Sequence, residues 1–316
     1  MYNKCLEYLL SNDSDDVMSE SGIEFRKFIH PVVIRVGKLL GPDKYVLIKR
    51  ESERIKNPKT IEEIEYNKRP IIYAPTHGFK DDLLYSLYTA KNHAYILFGS
   101  LPQFFNTFDG FSAWANGVYL VDRDDRNSRK ASYDKIRRGF ELGVENLLWF
   151  PEGVWNKSPN LLILDLWNGM YRVAVEHNAL IVPISVMEED GVCYAIQNKP
   201  IDVCSLDLNE GKQLIREGKQ LIRDSLATAK WEVLEYIASI KGLAKRGDFY
   251  PGYWEDYVNK LIDPVRKNYN FETEARSEYI DPTKVSEKKV FECLDNVQLT
   301  SNNTYVLVRT RNDLHK

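Results

Sequence analysis

The sequence predicts an α/β protein: a largely parallel sheet flanked by helices, with an amphipathic helix before it and a helical extension after it. Two patterns predict this. Six short apolar runs, 71–74, 94–98, 117–121, 147–150, 181–186 and 192–196, have the length and near-continuous apolar content of strands buried on both faces. The segments between them at 81–90, 128–142 and 166–177 repeat their apolar residues at helical spacing, so strand and helix alternate. Composition agrees, because 43% apolar and 28% charged residues describe a chain with a sizeable core and exclude disorder or a small disulfide scaffold.

The elements divide the chain into three parts. Residues 1–22 read as a short N-terminal helix followed by an acidic, solvated linker, SNDSDDVMSE, at 11–20. Residues 23–204 hold the main domain. It opens with Phe25, Phe28, Ile29, Val32, Val33, Val36, Leu39 and Leu40 on one helical face, with Arg26, Lys27, Arg35 and Lys38 largely off it. Pro31 either kinks this helix or starts its second half. The helix either packs on the core or lies on a membrane interface. Residues 205–316 form a mainly helical C-terminal extension. Its 209–242 segment is strongly helical and contains a near-repeat, GKQLIRE at 211–217 and GKQLIRD at 218–224, too short for a dependable coiled coil. An aromatic stretch at 249–257, a polar tail from 268 and a strand-like run at 304–310 complete it.

Charge and cysteine content narrow the function. With 43 basic against 46 acidic residues the net charge is −3, which gives no bulk attraction to nucleic acid or anionic lipid. Cys5, Cys193, Cys204 and Cys293 show no CxxC and no Cys/His ligand spacing, so neither a disulfide frame nor a zinc site is expected, and a reducing cytoplasm fits. No apolar run approaches the ~20 residues of a membrane span and no signal peptide is visible, so the expectation is a soluble protein or one on a membrane surface.

Four loops near predicted strand ends hold chemistry-bearing residues, and strand carboxyl ends are where open α/β sheets form ligand sites. The first is APTHGFKDD, 74–82. If a helix begins near Lys80, the carboxylate of Asp82 can turn back to one imidazole nitrogen of His77 and leave the other free to take a proton. Alternatively, Asp81 and Asp82 only cap that helix. The second, at 116–130, ends a strand in Asp122-Arg123. Arg123 offers a planar fork of donors for a phosphate or carboxylate, with Arg126 and Arg129 nearby, or these arginines simply pair with Asp122, Asp124 and Asp125. The third, at 147–160, runs through Pro151 into a tight turn at Glu152-Gly153 that presents a carboxylate at the sheet edge. The fourth, at 179–186, carries Pro183 inside an apolar strand, which points to an edge, a bulge or a pocket wall. The last two read equally well as an ordinary turn and an edge strand.

In this order the four segments resemble the motifs of the glycerolipid acyltransferase family, which includes lysophosphatidate and glycerol-3-phosphate acyltransferases. His77-x4-Asp82 is similar to the first motif and Gly117-Val-Tyr-Leu-Val-Asp122-Arg123 to the second, G-x-x-F-I-D-R. Phe150-Pro151-Glu152-Gly153 is similar to the third, F-P-E-G-T-R, and Val182-Pro183-Ile184 to the fourth, V-P-V. The match covers about residues 70–200. It implies a glycerol-phosphate-acyltransferase-like fold and acyl transfer from acyl-CoA or acyl carrier protein to the hydroxyl of a lysophosphatidate-like or glycerol-phosphate acceptor. His77 would be general base and Asp82 its orienter. Arg123, Glu152, Gly153, Trp155, Lys157 and Pro183 would bind or shape the substrates. No cofactor, metal or nucleic-acid partner is implied. Phospholipid biosynthesis in the cytoplasm, with contact to the inner face of the membrane, would follow. The helix at 25–40 is the first candidate for that contact and the aromatic stretch at 249–257 the second. Backbone amides around Gly78 or Gly153 are the candidates for meeting the oxyanion.

Three departures qualify the resemblance. Thr76 stands where the family has Asn, Asp81 adds a second carboxylate beside Asp82, and Val154-Trp155 replaces Thr-Arg in the third motif. The missing arginine leaves two acceptor classes open. In one, Arg123 with Arg126 or Lys157 still holds a phosphate. In the other, Trp155 packs on a phosphate-free hydroxyl or amine lipid. A non-catalytic lipid- or acyl-carrier-binding protein is the alternative from another class, and retention of both His77 and Asp82 argues against it.

Overall fold

In a computed structural model, the chain is described at residues 10–11, 13–14, 18–40, 44–48, 69–78, 81–99, 107–158, 161–205, 211–241 and 275–276. The aromatic stretch at 249–257 and the strand-like run at 304–310 lie outside the described residues, as does most of the expected N-terminal helix. The described elements, in chain order, are α1 (Glu20–Leu40), β1 (Lys44–Leu47), β2 (Ile71–Pro75), α2 (Asp82–Ala90), β3 (Tyr95–Gly99), α3 (Phe108–Asn116), β4 (Val118–Val121), α4 (Arg126–Glu141), β5 (Asn146–Leu148), β6 (Trp155–Asn156), α5 (Gly169–Glu176), β7 (Leu180–Glu189), β8 (Val192–Gln197), α6 (Gly211–Ile240) and β9 (Ala275–Arg276).

Among the described residues, seven strands form one sheet in the order β1-β8-β7-β2-β5-β3-β4, and β6 pairs with β9 separately. Within the large sheet only β7 and β8 run antiparallel, joined through Asp190 and Gly191; the other neighbours are parallel. The α/β expectation is therefore met, with helices on both faces. Successive strand residues point to opposite faces. Ile72, Ala74, Leu147 and Ile181 pack with α4, α5 and α6, whereas Tyr73, Ile96, Leu148 and Val182 pack with α2 and α3.

Four features were not in the sequence reading or differ from it. Strand β1 and helix α3 were not anticipated; α3 is short, and Thr107 caps it by accepting from the Gly110 N–H. Met18, assigned to the solvated linker, is instead buried in the core. Helix α1 runs unbroken through Pro31, whose side lies exposed, and its expected apolar face is divided. Ile23 and His30 are buried, while Phe25, Phe28, Val32 and Leu39 are exposed. Helix α6, in the part read as an extension on the main domain, packs on it: Ile222, Leu226, Ala227, Trp231 and Val233 are buried in the same core as the sheet.

Pro183 does not sit at an edge. Strand β7 is interior, and Pro183 pairs with Ala74 of β2. Its carbonyl accepts from the Asn198 N–H just past the end of β8, so the missing proline donor faces a place where the antiparallel ladder has already ended.

Candidate active site

The four motif loops leave or border neighbouring strands of the sheet: β7, β2, β5 and, one strand further, β4. They converge on His77, two residues past the end of β2. Asp82 is the first residue of α2, and its buried carboxylate turns back across the helix start. His77 Nδ1 lies 2.7 Å from Asp82 Oδ2, which also accepts from the Gly78 N–H at 2.8 Å. A carboxylate can only accept, so Nδ1 carries the hydrogen and Nε2 keeps its lone pair. The capping alternative fails for both acids in its simple form: the Asp81 side chain makes no cap hydrogen bond, and Asp82 serves the imidazole and the loop amide.

The His77 backbone is held from both sides by the loop after β5. Glu152 Oε1 accepts from the His77 N–H at 3.1 Å, and the Asn156 N–H donates to the His77 carbonyl at 2.9 Å. The Phe150 ring packs 4.2 Å from the imidazole, and the Trp155 ring meets it edge-on at 6.1 Å. Trp155 is thus beside His77, in the strand β6 that pairs with Ala275 and Arg276. Thr76 ties this loop to the next strand: its N–H donates to Ile184 and its Oγ1 accepts from the Val186 N–H.

Two expectations are overturned here. The Glu152 carboxylate is not presented at the surface; it is fully buried, with its second oxygen accepting from the Leu164 N–H at 2.9 Å. The amides of Gly78 and Gly153 are likewise engaged, donating to Asp82 and to the Phe150 carbonyl, so neither is an open oxyanion donor in this conformation.

Arg123 reaches across the sheet edge. It leaves the end of β4, passes over Gly99 at the end of β3, and donates from Nη1 to the Gly153 carbonyl at 3.1 Å. A Cβ on Gly99 would stand 2.8 Å from Arg123 Nε, so the bare backbone there is what admits the guanidinium. Arg129 donates to the Arg123 carbonyl. The neighbouring acids serve the backbone: Asp125 caps α4 through the Asn127 and Ser128 N–H groups, and Asp122 accepts from the Asp124 N–H. Arg126 is exposed at the start of α4, and Lys157 is half-buried just after β6.

The residues missed in the sequence lie behind this loop. Asn156 Nδ2 donates to the carbonyls of Leu161 and Leu162, and Lys230 Nζ from α6 donates to Leu162 at 2.9 Å. Burial pushes the Glu152 carboxyl up, opposed by Lys230 and by its two backbone donors; burial brings the Lys230 ammonium down to about 8, opposed by Glu152 and Asp82. Lys230 had a readable signal, since it sits at helical spacing within the buried stripe of Leu226, Ala227 and Leu234. Gly99 and Asn156 had none. Among the described residues no cluster of three or more His, Cys, Asp or Glu could hold a metal ion, and no helix is long and apolar enough to cross a membrane.

Residues 49–187 match the family model described as Acyltransferase. No curated protein sequence gives a significant match. A solved structure, that of the 1-acyl-sn-glycerophosphate (LPA) acyltransferase PlsC from Thermotoga maritima, aligns with a TM-score of 0.42 at 14% identity, covering 71% of this chain and 88% of that one. The matched family segment spans all four motif loops together with β2 to β5 and most of β7, so over this part of the chain the sequence is similar to the acyltransferase family.

Proposed function

We propose that the protein transfers a fatty acyl group from a thioester, acyl-CoA or acyl carrier protein, to the hydroxyl of a lysophosphatidate-like or glycerol-phosphate acceptor. The observation that carries this reading is the His77–Asp82 pair: Nδ1 is held at 2.7 Å and Nε2 is left as the proton acceptor on a partly exposed ring. As the acceptor oxygen attacks the thioester carbon, Nε2 takes its proton. The acyl–oxygen bond forms, the carbon–sulfur bond breaks, and the proton passes to the departing thiolate. Asp82 holds the imidazole in the required tautomer and steadies its positive charge in the transition state. The chain needs no covalent acyl-enzyme for this sequence of steps.

Arg123 supports a phosphorylated acceptor. It brings a guanidinium to the third-motif loop, next to the turn that carries Trp155 and Lys157, and such a fork suits a phosphate. Trp155, beside the imidazole, supports the second reading, in which the acceptor is a phosphate-free hydroxyl or amine lipid packed on the indole. Pro183, three residues deeper along the sheet, would act through the shape of the strand beneath His77.

The test is an acceptor panel followed by mass spectrometry. Purified protein is given mixed acyl-CoA and acyl carrier protein donors with lysophosphatidate, glycerol 3-phosphate and phosphate-free lysolipids. We expect acylation of a phosphorylated acceptor and a loss of ~10²–10⁴-fold in His77→Ala, the usual share of a positioned base. Product formed only on phosphate-free acceptors would select the second reading, and product unaffected by His77→Ala would sink both.

A further inference from the structure

We propose that Lys230, on helix α6 and outside the family-matched segment, is a positioning residue for His77, acting by holding the buried carboxylate of Glu152 in its ionised, hydrogen-bond-accepting form. The proposal rests on His77 being the base of the reaction.

The short stretch from Leu161 to Leu164 is buried at all four residues. Lys230 Nζ donates to the Leu162 carbonyl, and Glu152 Oε2 accepts from the Leu164 N–H, each at 2.9 Å. The two side chains therefore grip the same stretch, one by a carbonyl and the other by an amide, and both are almost wholly buried. Glu152 then reaches forward with its other oxygen to the His77 N–H. A single chain of contacts runs from α6 through this stretch and Glu152 to the backbone of the imidazole-bearing residue.

Ionisation matters because of the donors Glu152 faces. Both oxygens meet N–H groups, so both must accept. A protonated carboxyl would aim an O–H at one of those donors and release either His77 or Leu164. Burial favours that neutral form, and the positive charge of Lys230 opposes it. The charged groups acting on Lys230 are the carboxylates of Glu152 and Asp82, and those acting on Glu152 are Lys230 and, to a lesser degree, His77. Lys230 thus links a helix that the family motifs do not cover to the geometry of the imidazole.

The experiment compares the pH dependence of kcat in wild type, Lys230→Met, and the double variant Lys230→Met/Glu152→Gln, each with a His77→Ala control. Removing the ammonium raises the Glu152 pKa further, so at a given pH more of the variant carries the neutral carboxyl. We expect kcat at neutral pH to fall tenfold or more, acceptor KM to stay within about twofold, and the acidic limb of the profile to move to higher pH. In the double variant, where nothing titrates at position 152, the limb should return towards its wild-type position.

A folded Lys230→Met protein with an unmoved acidic limb overturns the proposal, because a role in packing alone lowers stability without shifting a titration. If Lys230→Met does not fold, the double variant decides. Recovery of folded protein supports a charge-balancing role even where turnover stays low, because the NH2 of a glutamine at 152 must face one of the two N–H donors, and a double variant equally unfolded overturns it. Turnover in wild type that ignores His77→Ala would instead remove the functional reading on which the proposal stands.

Discussion

The residue that most depends on its neighbours is Arg123, whose path to the third-motif loop exists only because position 99 has no side chain. Valine at Gly99 would put Cβ 2.8 Å from Nε, closer than real contacts allow. What it displaces is the far end of a flexible arginine and not backbone, so the fold should absorb the change while the guanidinium leaves the Gly153 carbonyl. We expect Gly99→Val to raise the KM for a phosphorylated acceptor by about tenfold, matching Arg123→Ala, with kcat within a few-fold and a melting temperature shift of a few degrees at most. Equal loss on phosphate-free acceptors would show that Arg123 braces the loop instead of binding the acceptor. Gly153 is less forgiving. Its φ is +74° and a Cβ would meet Trp167 Nε1 at 2.7 Å, so any substituent there strains the turn that separates Glu152 from Trp155.

Helix α1 shows how far an element can stand from the pattern that predicts it. Its apolar residues were expected on one face, packed on the core or lying on a membrane, and the structure divides them. His30 Nδ1 donates to Asn116 Oδ1 at 2.7 Å, Lys27 reaches Glu145, and the Arg26 guanidinium lies 5.7 Å from the Trp114 ring; these contacts fix the inner side. Phe28 and Leu39 remain 81% and 84% exposed, and Phe108 and Phe111 of the adjoining α3 are exposed as well. We propose that this outer side docks on the bilayer from which a lipid acceptor would be drawn. Each side chain transferred from water is worth ~1.5–3 kcal/mol, so replacing both should weaken partitioning onto phospholipid vesicles at least tenfold. The check is vesicle sedimentation of wild type against Phe28→Asp/Leu39→Asp. Exposed residues contribute little to folding, so the melting temperature should hold; unchanged sedimentation would leave the outer side without a role in docking.

Across the whole molecule, what the sequence made legible is what local pattern dictates. Apolar runs of strand length gave six strands of the main sheet, and the order of four motifs located the imidazole–carboxylate pair, because Asp82 can reach back to His77 from a helix start wherever the rest of the chain goes. Long-range pairing was not legible. Whether Glu152 faced water or the core depended on Leu164 and Lys230 closing over it, and no window around residue 152 contains that information. The same holds at the opposite end of the sheet, where His30 of α1, His93 before β3 and Asn116 at the end of α3 meet. His93 Nε2 donates to the Asn116 carbonyl at 2.7 Å, and the two imidazoles lie 5.2 Å apart, edge to face. Burial lowers both, His93 to about 4, with Arg26 and Lys27 adding a smaller push in the same direction at His93. Above the ordinary histidine range both folded and unfolded chains are neutral here, and no stability depends on pH. As pH falls through about 6.5 the unfolded chain takes up a proton that the folded His93 refuses, so stability is lost progressively down to about pH 4, by up to ~3 kcal/mol for this residue. His93→Gln keeps a donor but does not titrate, and should remove that part of the loss. Comparing melting temperatures of the two proteins between pH 7 and 4.5 isolates the effect from the carboxylates they share. A smaller acid shift in the variant is the expected result, and parallel curves would mean that the three-element junction tolerates the charge.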